Sequence, residues 1–446
     1  MQHAIHWPHV RNLESLVPVA ALLPAERAVA LGQYLDQQQE RQVDFLRELV
    51  RVPSDNPPGN CASHGQRLQS LLSTLDLPVE AFSVPADEVR ANGMISATNL
   101  VVRQAFGAGG RVVALNAHGD AVPPGLGWRR DPYAARIEED PEHGPVMYGR
   151  GVAVSKSDIA AYTWALLALK EAERQGLRLR GRIELHFTYD EEARGEIGPK
   201  WLLANDFVKP DLAICAGFSY AVTTAHNGCL QIEVTVRGKQ AHAAVPRSGA
   251  DALEAANRIL TALYAYRDQL AQRHSASPGI DTPSLTVGTI RGGINTNVVP
   301  DLVVFRVDRR MIPEEAGQDV EGELRRLIAE AIAPCAGTSA SVRRLLLAQP
   351  LAPLPGVETL TEPLQRHARA QFGTDIPVQG LPLFTDARHY AARGIPTVLY
   401  GAGPRTILEA RGHNSDENLR LNDLYRATKV LALSLADMLG EDSSQM

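Results

Sequence analysis

The chain has 446 residues, of which 44% are hydrophobic and 22% charged, and its formal net charge is −6. This balance is typical of a globular protein, and the length allows two or three domains. A negative net charge disfavours general binding to nucleic acids or anionic membranes, because both require a basic surface. We therefore expect neither a nucleic-acid nor a membrane partner.

The cysteines and the N-terminus indicate the compartment. The four cysteines are scattered and form no CxxC pair: Cys61, Cys215, Cys229 and Cys335. That pattern favours reduced thiols over a disulfide framework. The first residues lack a basic start followed by an apolar run, since Glu14, Glu26 and Arg27 interrupt the apolar positions. Neither a signal peptide nor a membrane span fits, and a cytoplasmic protein is expected.

The first half of the chain alternates between helical and strand-like segments. Apolar spacing predicts helices over 12–50 and 64–75, separated by a proline-rich loop at 53–59. Strand-like apolar runs follow at 99–106, 111–118, 182–190 and 210–218, with a long helix over 159–176 between them. Alternating strands and helices predict a mainly parallel sheet flanked by helices on both faces, which is an α/β fold.

The pattern changes near residue 228. Strands are predicted at 229–238, 286–293, 302–311 and 341–348, with helices over 249–272 and 314–333. This β-α-β-β-α-β order is that of a ferredoxin-like α+β domain. The α/β pattern resumes after Pro355 and ends in a helix over 421–439. We therefore predict a discontinuous larger domain, 1–227 (with an N-terminal extension over 1–40) plus 347–446, and an inserted domain over 228–346.

Polar side chains that suit metal and proton chemistry follow the predicted strands of the larger domain. They are His118 and Asp120, then Asp190, Glu191 and Glu192, and finally His413 in a late loop. Ligands of α/β sheets bind beyond the carboxyl ends of the strands, so these side chains are expected to converge. A neutral imidazole binds zinc well, and two adjacent glutamates can divide metal binding from proton transfer. Each fragment alone is common, but the combination in this order is not.

Several motifs are more specific. They are HGDAVPPG, W-x-x-DP-Y from Trp128 to Tyr133, YGRG, DEEARGEIG, GKQAHAAVP, GGINTNVVPD, TDAR and GHNSDE. With these motifs the chain resembles, from about residue 40 to its C-terminus, the M20 family of zinc-dependent peptidases and deacylases. That family includes acetylornithine deacetylase, succinyl-diaminopimelate desuccinylase and the glutamate carboxypeptidases. The resemblance implies a zinc-peptidase-like catalytic domain with an inserted lid and dimerisation domain.

The resemblance also implies roles for the residues that match. His118, Glu192 and His413 correspond to metal ligands, Asp120 to the partner that orients His118, and Glu191 to the general base. In the inserted domain, His242 corresponds to a histidine that reaches the site of a neighbouring subunit and stabilises the oxyanion. Asn297 and Arg310 correspond to residues that hold a substrate carboxylate, which a guanidinium suits. A homodimer and a small substrate bearing a carboxylate are therefore expected.

Two positions depart from the family pattern. In GRGVAVSKSD, Val154 occupies the position of the aspartate that bridges two metals, and Ala216 occupies that of a further acidic ligand after the next strand. Neither side chain can bind a metal. Without these two carboxylates, cations roughly 3.5–4 Å apart would lack the bridge that offsets their repulsion. The ordinary dinuclear centre is therefore not expected.

Three alternatives remain open from the sequence. One zinc ion per chain, bound by His118, Glu192 and His413, is the favoured one, because two histidines and a glutamate form a known catalytic set. A rebuilt two-metal site would need another ligand, Asp158 or, less simply, Cys215. The third alternative is a metal-free pseudoenzyme or small-molecule binding protein. Asp158 also has a simpler interpretation, since SKSD before an apolar helix is a good N-cap sequence.

The favoured function is hydrolysis of an amide bond in a small N-acyl amino acid or dipeptide-like substrate. The proposed base Glu191 and the residues His242, Asn297 and Arg310 are all present, although two metal carboxylates are missing. The acyl group and the preferred side chain are not predicted from the sequence.

Overall fold

The computed structural model describes residues 25–440, which form twelve α-helices and fifteen strands. The helices are α1 (Ala25–Gln37), α2 (Gln39–Val50), α3 (Ala62–Ser73), α4 (Ala86–Ala91), α5 (Lys156–Arg174), α6 (Pro199–Ala204), α7 (Ala252–Leu270), α8 (Gly317–Ile332), α9 (Glu358–Phe372), α10 (Ala387–Ala391), α11 (Ile407–Ala410) and α12 (Leu421–Leu439). The strands are β1 (Val79–Ser83), β2 (Thr98–Phe106), β3 (Arg111–His118), β4 (Arg136–Asp140), β5 (Gly144–Tyr148), β6 (Gly181–Thr188), β7 (Leu212–Cys215), β8 (Val222–His226), β9 (Gly228–Arg237), β10 (Ser284–Gly292), β11 (Leu302–Met311), β12 (Ser339–Ala348), β13 (Val378–Leu381), β14 (Thr397–Leu399) and β15 (Asn418–Arg420).

The larger domain is built on an eight-stranded sheet with the order β1-β2-β6-β3-β7-β14-β8-β13. Its centre is parallel, since β3 pairs in parallel with both β6 and β7, and β14 pairs in parallel with β7. The two outer strands β1 and β2 are antiparallel. Strand β3 is buried along most of its length, as expected for a parallel strand covered on both faces. The predicted mainly parallel sheet flanked by helices is confirmed.

Helices α5 and α12 form much of the packing against this sheet. Helix α5 is buried on nearly all sides, since its alanine-rich sequence lets other helices approach closely. It contacts α2, α12 and the described helix α1. Leu31 and Leu35 of α1 are buried in the same hydrophobic core. Residues 25–40 of the predicted N-terminal extension thus pack on the larger domain, and residues 1–24 lie outside the described part.

A separate antiparallel domain contains the second sheet, with the order β10-β11-β9-β12. Its elements run β9-α7-β10-β11-α8-β12 along the chain, which is the predicted ferredoxin-like arrangement. Alternate residues of β9 and β11 point into a core shared with α7 and α8. This core is distinct from that of the larger domain. The exact boundaries at 228 and 346 remain a prediction, and strand β12 continues to Ala348.

Several features are not predicted from the sequence. Strands β15, β5 and β4 form a third, small sheet, and the helix predicted over 12–50 is interrupted in its described part between α1 and α2. Strand β8 and the short β13 complete the edge of the main sheet. Short strands with little alternation carry a weak signal, so they are recognised only once their partners are in place. Within residues 25–440, no helix combines the length and apolar composition that crossing a bilayer requires.

Candidate active site

The neighbouring parallel strands β3 and β6 bring the first candidate residues together. Strand β3 ends at His118 and β6 ends at Thr188, two residues before Asp190. The amide of Gly119 donates to the carbonyl of Thr188 at 2.8 Å, so the two chain segments stay joined beyond the last strand residues. The convergence at the carboxyl edge of the sheet is as the sequence predicted.

His118 is buried and held in one tautomer. Its Nδ1 lies 3.0 Å from the backbone carbonyl oxygen of Asp120. Because a carbonyl can only accept, Nδ1 carries the proton, and Nε2 is left facing the Glu191 carboxylate, 3.9 Å away. Burial lowers the pKa of His118, but the charges of Glu191 and Asp120 outweigh it and leave the pKa well above its usual range. Nε2 is thus directed at an anionic site.

Glu191 and Glu192 complete a cluster of potential metal-binding atoms with His118. One ligand atom from each of the three side chains lies within 4.8 Å of the other two. Burial raises the pKa of Glu191 to about 7, with Glu192 and Asp120 adding to the effect and His118 opposing it. A carboxyl group with a pKa near neutrality is suited to accept a proton and return it.

Asp120 organises this cluster through its carboxylate. Its Oδ2 accepts from Asn56 Nδ2 at 2.9 Å and from the backbone amide of Glu192 at 3.1 Å. Its Oδ1 lies 3.4 Å from His118 Nδ1. Asp120 therefore fixes the position of Glu192 as well as that of His118. The sequence analysis did not identify Asn56, and the proline-rich loop that carries it offers no signal of this contact.

His413 joins the cluster from a loop distant in sequence. Its Nε2 lies 3.0 Å from Glu192 Oε1, and its side chain remains about half exposed. The hydrogen bond with Glu192 raises the pKa of His413 against the opposing effect of burial. The backbone of His413 has a φ of 62°, in the left-handed region that non-glycine residues rarely occupy. The loop therefore holds this imidazole against Glu192 at some conformational cost.

The loop that carries Val154 is held by a buried ion pair. Glu417 accepts from the backbone amides of Gly151, Ala153 and Val154 at 3.0–3.2 Å, and from Arg150 Nη1 at 2.8 Å. Both charged side chains are about 1% exposed. Glu417 thus satisfies the backbone of a segment whose own side chains are apolar. Its role was not predicted, although it lies within the quoted GHNSDE region of the chain.

Val154 lies between the segments that carry His118 and His413. The next residue, Ser155, exchanges two hydrogen bonds of 3.1 Å with the backbone of His118. On the other side, a Cβ placed on Gly412 would lie 3.6 Å from Val154 Cγ2. Val154 and Ala216 both pack against the main hydrophobic core. The two positions where the sequence departs from the family pattern therefore form an apolar part of the cleft.

Asp158 does not have the capping role considered from the sequence, and its role as a metal ligand stays a prediction. Helix α5 begins after Ser155, whose side chain makes no capping bond, and Asp158 lies within the first turn. Its Oδ1 accepts from the amide of Ala402 at 2.7 Å, and its carboxylate also takes a bond from the amide of Gly217. Asp158 instead joins the segments that follow β7 and β14, a contact that the cap interpretation missed.

Cys215, the softer candidate ligand, lies on the opposite side of its strand from Ala216. Its side chain belongs to a core cluster with Ala213 and Leu399, whereas Ala216 packs on the main core. Burial raises the pKa of Cys215 well above its usual range, which disfavours the thiolate that binds metals.

The TDAR motif contributes two buried side chains next to the cluster. Neither carboxylate oxygen of Asp386 has a hydrogen-bond partner in the described chain. Burial raises the pKa of Asp386 to about 7, and the nearby Glu191 adds to the effect. Arg388 donates to the carbonyls of Thr385 and Arg194 at 2.8 and 2.6 Å. The motif was recognised from the sequence, but without a role for either residue.

The candidate residues of the antiparallel domain lie apart from this cluster. His242 is exposed, and its Nδ1 accepts from the amide of Ala244 at 3.0 Å. Asn297 is also exposed, and its backbone carbonyl accepts from Ala243. Arg310 lies on β11, and its Nε donates to Asp308 at 2.8 Å. The structure groups His242 with Asn297 but does not bring either to His118 within one chain.

The donor set suits one divalent cation. An imidazole nitrogen and two carboxylates lie within 4.8 Å of one another, slightly more than twice a zinc–ligand bond of about 2.0–2.2 Å. His413 adds a second imidazole through its contact with Glu192. Because His118 Nδ1 faces the carbonyl oxygen of Asp120, Nε2 is the nitrogen that would bind a cation once its proton is displaced. The residues present therefore fit a divalent cation such as zinc.

Comparison with known proteins places the chain in a family. The profile of Peptidase family M20/M25/M40 matches residues 114–437. The chain is 28% identical over 371 residues to the acetylornithine deacetylase of Myxococcus xanthus, covering 82% of this chain and 90% of the relative. It is 30% identical over 282 residues to the succinyl-diaminopimelate desuccinylase of Gluconobacter oxydans (strain 621H), covering 60% and 67%.

A solved structure with the same fold is the YXEP protein of Bacillus subtilis, a dinuclear metal-binding peptidase from the M20 family. The match has a TM-score of 0.65 and 16% identity, and covers 91% of this chain and 99% of that one. At that identity the likeness shows the fold alone. Because the family profile spans more than half of the chain, the protein belongs to Peptidase family M20/M25/M40.

Proposed function

We propose that the chain hydrolyses an amide bond in a small N-acyl amino acid or dipeptide-like substrate, with Glu191 as the general base. The observation that carries this proposal is the partly buried Glu191 carboxylate, with a pKa of about 7, beside His118 and Glu192. The names of the similar proteins, a deacetylase and a desuccinylase, support the same reaction class.

We propose one zinc ion per chain, bound by His118, Glu192 and His413. When bound, it would polarise the scissile carbonyl and lower the pKa of a water molecule. Asp158 lies outside this proposed set, because backbone amides already occupy its carboxylate. Elemental analysis of the purified protein tests the proposal. One equivalent of zinc per chain is expected, whereas two equivalents or none after zinc supplementation would contradict it.

In the proposed reaction, Glu191 takes a proton from water as the oxygen attacks the amide carbonyl. The carbonyl carbon becomes tetrahedral, and Glu191 then delivers the proton to the leaving nitrogen as the C–N bond breaks. Asp120 keeps His118 and Glu192 in place during these steps. Arg310 and Asn297 hold the substrate carboxylate, and His242 of a partner subunit stabilises the oxyanion.

Substitution of the base tests the reaction directly. Glu191→Gln should lower kcat at least about 100-fold on a panel of N-acyl amino acids and dipeptides, since a general base contributes about that much or more. Glu196→Gln is the matched control, because Glu196 pairs with Lys200 on the surface. Undiminished turnover in Glu191→Gln would remove this residue from the mechanism. Ligand-induced stabilisation without turnover in the parent protein would favour a binding protein.

We further propose that the protein acts as a homodimer in the cytoplasm. The exposed position of His242, away from the cluster of its own chain, supports a site completed by a second copy. The four free cysteines fit a reducing compartment. Mixing inactive Glu191→Gln and His242→Ala proteins tests the dimer, because a mixed dimer contains one site with both residues. Recovery of activity is expected, and its absence after subunit exchange would contradict the shared site.

A further inference from the structure

The carboxylate of Asp308 is bonded to one edge of the Arg310 guanidinium. Its Nε donates to Asp308 Oδ1 at 2.8 Å. The other oxygen of Asp308 accepts from Gln231 Nε2 at 2.9 Å and from Cys229 Sγ at 3.5 Å. Both oxygens of Asp308 are therefore occupied, and the side chain has little freedom to turn away from Arg310. This arrangement fixes the plane of the guanidinium before any ligand arrives.

An aromatic ring from the larger domain covers a face of the same guanidinium. Arg310 Cζ lies 5.8 Å from the centroid of Phe384, which follows β13. This distance is within the range of a cation–π contact. Arg388 Cζ lies 5.3 Å from the same ring, but its Nη atoms are occupied by two carbonyls. Of the two arginines at Phe384, Arg310 is the one free to bind a ligand.

The same ring connects Arg310 of the antiparallel domain to Arg388 of the larger domain. Arg388 is close enough to Glu191 to lower the pKa of that carboxyl against the raising effect of burial. Phe384 thus lies between Arg310 of the antiparallel domain and Arg388, the residue that lowers the pKa of the proposed base Glu191. A ligand held by Arg310 at this contact would span the two domains.

The outer edge of Arg310 remains available. In the described part of the chain, Nε is the guanidinium nitrogen of Arg310 that has a hydrogen-bond partner, and the side chain is 37% exposed. Because Asp308 occupies the Nε edge, an incoming carboxylate must accept its hydrogen bonds from the two Nη atoms of Arg310. Planar guanidinium and carboxylate groups form paired bonds in this geometry.

We infer that Asp308 and Phe384 are positioning residues that present the Nη edge of Arg310 to the substrate carboxylate. This inference rests on the carboxylate subsite of the proposed function. The preference for a carboxylate over a neutral carboxamide would then depend on the Phe384 ring and on the hydrogen bond from Arg310 Nε to Asp308, in addition to the charge of Arg310. Without the Phe384 ring, Arg310 would keep its charge, but its guanidinium could change orientation.

The test compares the binding of N-acetyl-L-alanine with that of its carboxamide. Dissociation constants are measured by calorimetry on zinc-supplemented Glu191→Gln protein, so that neither ligand is consumed. Adding Phe384→Leu should reduce the preference for the carboxylate about tenfold, the order of a partly desolvated cation–π contact. Adding Phe384→Tyr should retain the preference because the ring remains. Asp308→Ala should also reduce it, since Nε then loses its acceptor.

Phe372→Leu is the matched control, because Arg426 Cζ lies 5.9 Å from the Phe372 ring in another part of the larger domain. Its preference should equal that of the parent. An unchanged preference in Phe384→Leu, or no preference in the parent protein, would overturn the inference. Absence of turnover in wild-type protein, with the carboxylate preference and its loss in Phe384→Leu intact, would instead refute the hydrolase and leave the inference standing.

Discussion

The two sides of the cleft differ in how their polar groups are satisfied. On the side formed by β3 and β6, Asp120 receives two hydrogen bonds, and its backbone carbonyl fixes the tautomer of His118. On the side formed by β5, α5 and β7, Val154 and Ala216 pack against the hydrophobic core. The first side holds charged side chains in hydrogen bonds, whereas the second side is part of the hydrophobic core.

This difference shows that the apolar positions are integrated into the fold. The amides around Val154 bond to Glu417, so the loop is held without a contribution from the Val154 side chain. An unpaired carboxylate at either position would have to lie against the hydrophobic core. An apolar side chain is therefore more stable there than a carboxylate without a partner.

The strongest test of this contrast restores both carboxylates in the double variant Val154→Asp with Ala216→Glu. In metal-free protein the free energy of unfolding should fall by about 2–4 kcal/mol, because the two added carboxylates have no positively charged partner in the site. Zinc should recover this stability and raise the bound metal by one equivalent per chain. Urea unfolding with and without chelator, together with elemental analysis, measures both effects.

The double variant Val154→Thr with Ala216→Ser is the control, since it adds polarity without charge. It should bind the same amount of zinc as the parent. If the carboxylate variant also binds no additional zinc, the apolar side is not what limits the metal content.

A smaller effect is expected from weakening the charged side with Asp120→Asn. One oxygen remains to accept a hydrogen bond, but the charge that supports His118 is lost. Zinc affinity should fall about 10- to 100-fold, the usual effect of losing a partner that orients a ligand. Competition with a chelating dye measures the affinity. Asp375→Asn, which removes a surface pair with Arg369, should leave it unchanged. Equal affinities for Asp120→Asn and the parent would contradict the orienting role.

The smallest effect concerns Asp158, the buried acid on the apolar side. Burial raises its pKa to about 7 in the folded protein, from the ordinary value of 3.8. Between these values the folded state retains a proton that the unfolded state releases, so the contribution of Asp158 to stability falls as pH rises through this window. Asn cannot titrate, and Asp158→Asn should therefore gain stability relative to the parent between about pH 4 and pH 7.

Urea unfolding at several pH values in the presence of chelator measures this difference. Asp375→Asn is again the control, since Arg369 lowers the pKa of that carboxyl and moves its titration below the window. A parent-minus-variant difference that stays constant with pH would show that Asp158 is not protonated in the folded state.

Much of the fold could be predicted from the chain alone. Strand β3 and helix α12 have the predicted bounds, and the order of elements in the antiparallel domain agrees with its ferredoxin-like pattern. Long segments with a clear period of apolar residues carry this information locally. The small sheet of β4, β5 and β15 is not predicted because its strands are short and β15 lies far from the other two in sequence.

The candidate site was predictable in its chemistry and less so in its contacts. His118, Glu191 and Glu192 were selected because they follow strands, and the structure brings them together. Asn56, Glu417 and Asp386 were not selected, because their roles depend on neighbours many residues away. The contact of Asp158 with Ala402 is of the same kind, and the local capping pattern pointed elsewhere.

The sequence by itself determined which side chains stand at the ends of the strands, and that two positions in the family pattern are apolar. The tertiary structure decided what those positions do. It packed Val154 against the hydrophobic core, bonded the Asp158 carboxylate to two amides distant in sequence, and placed Phe384 against Arg310. The physical reason is that hydrogen bonding, burial and ring contacts depend on residues that meet only when the sheet assembles.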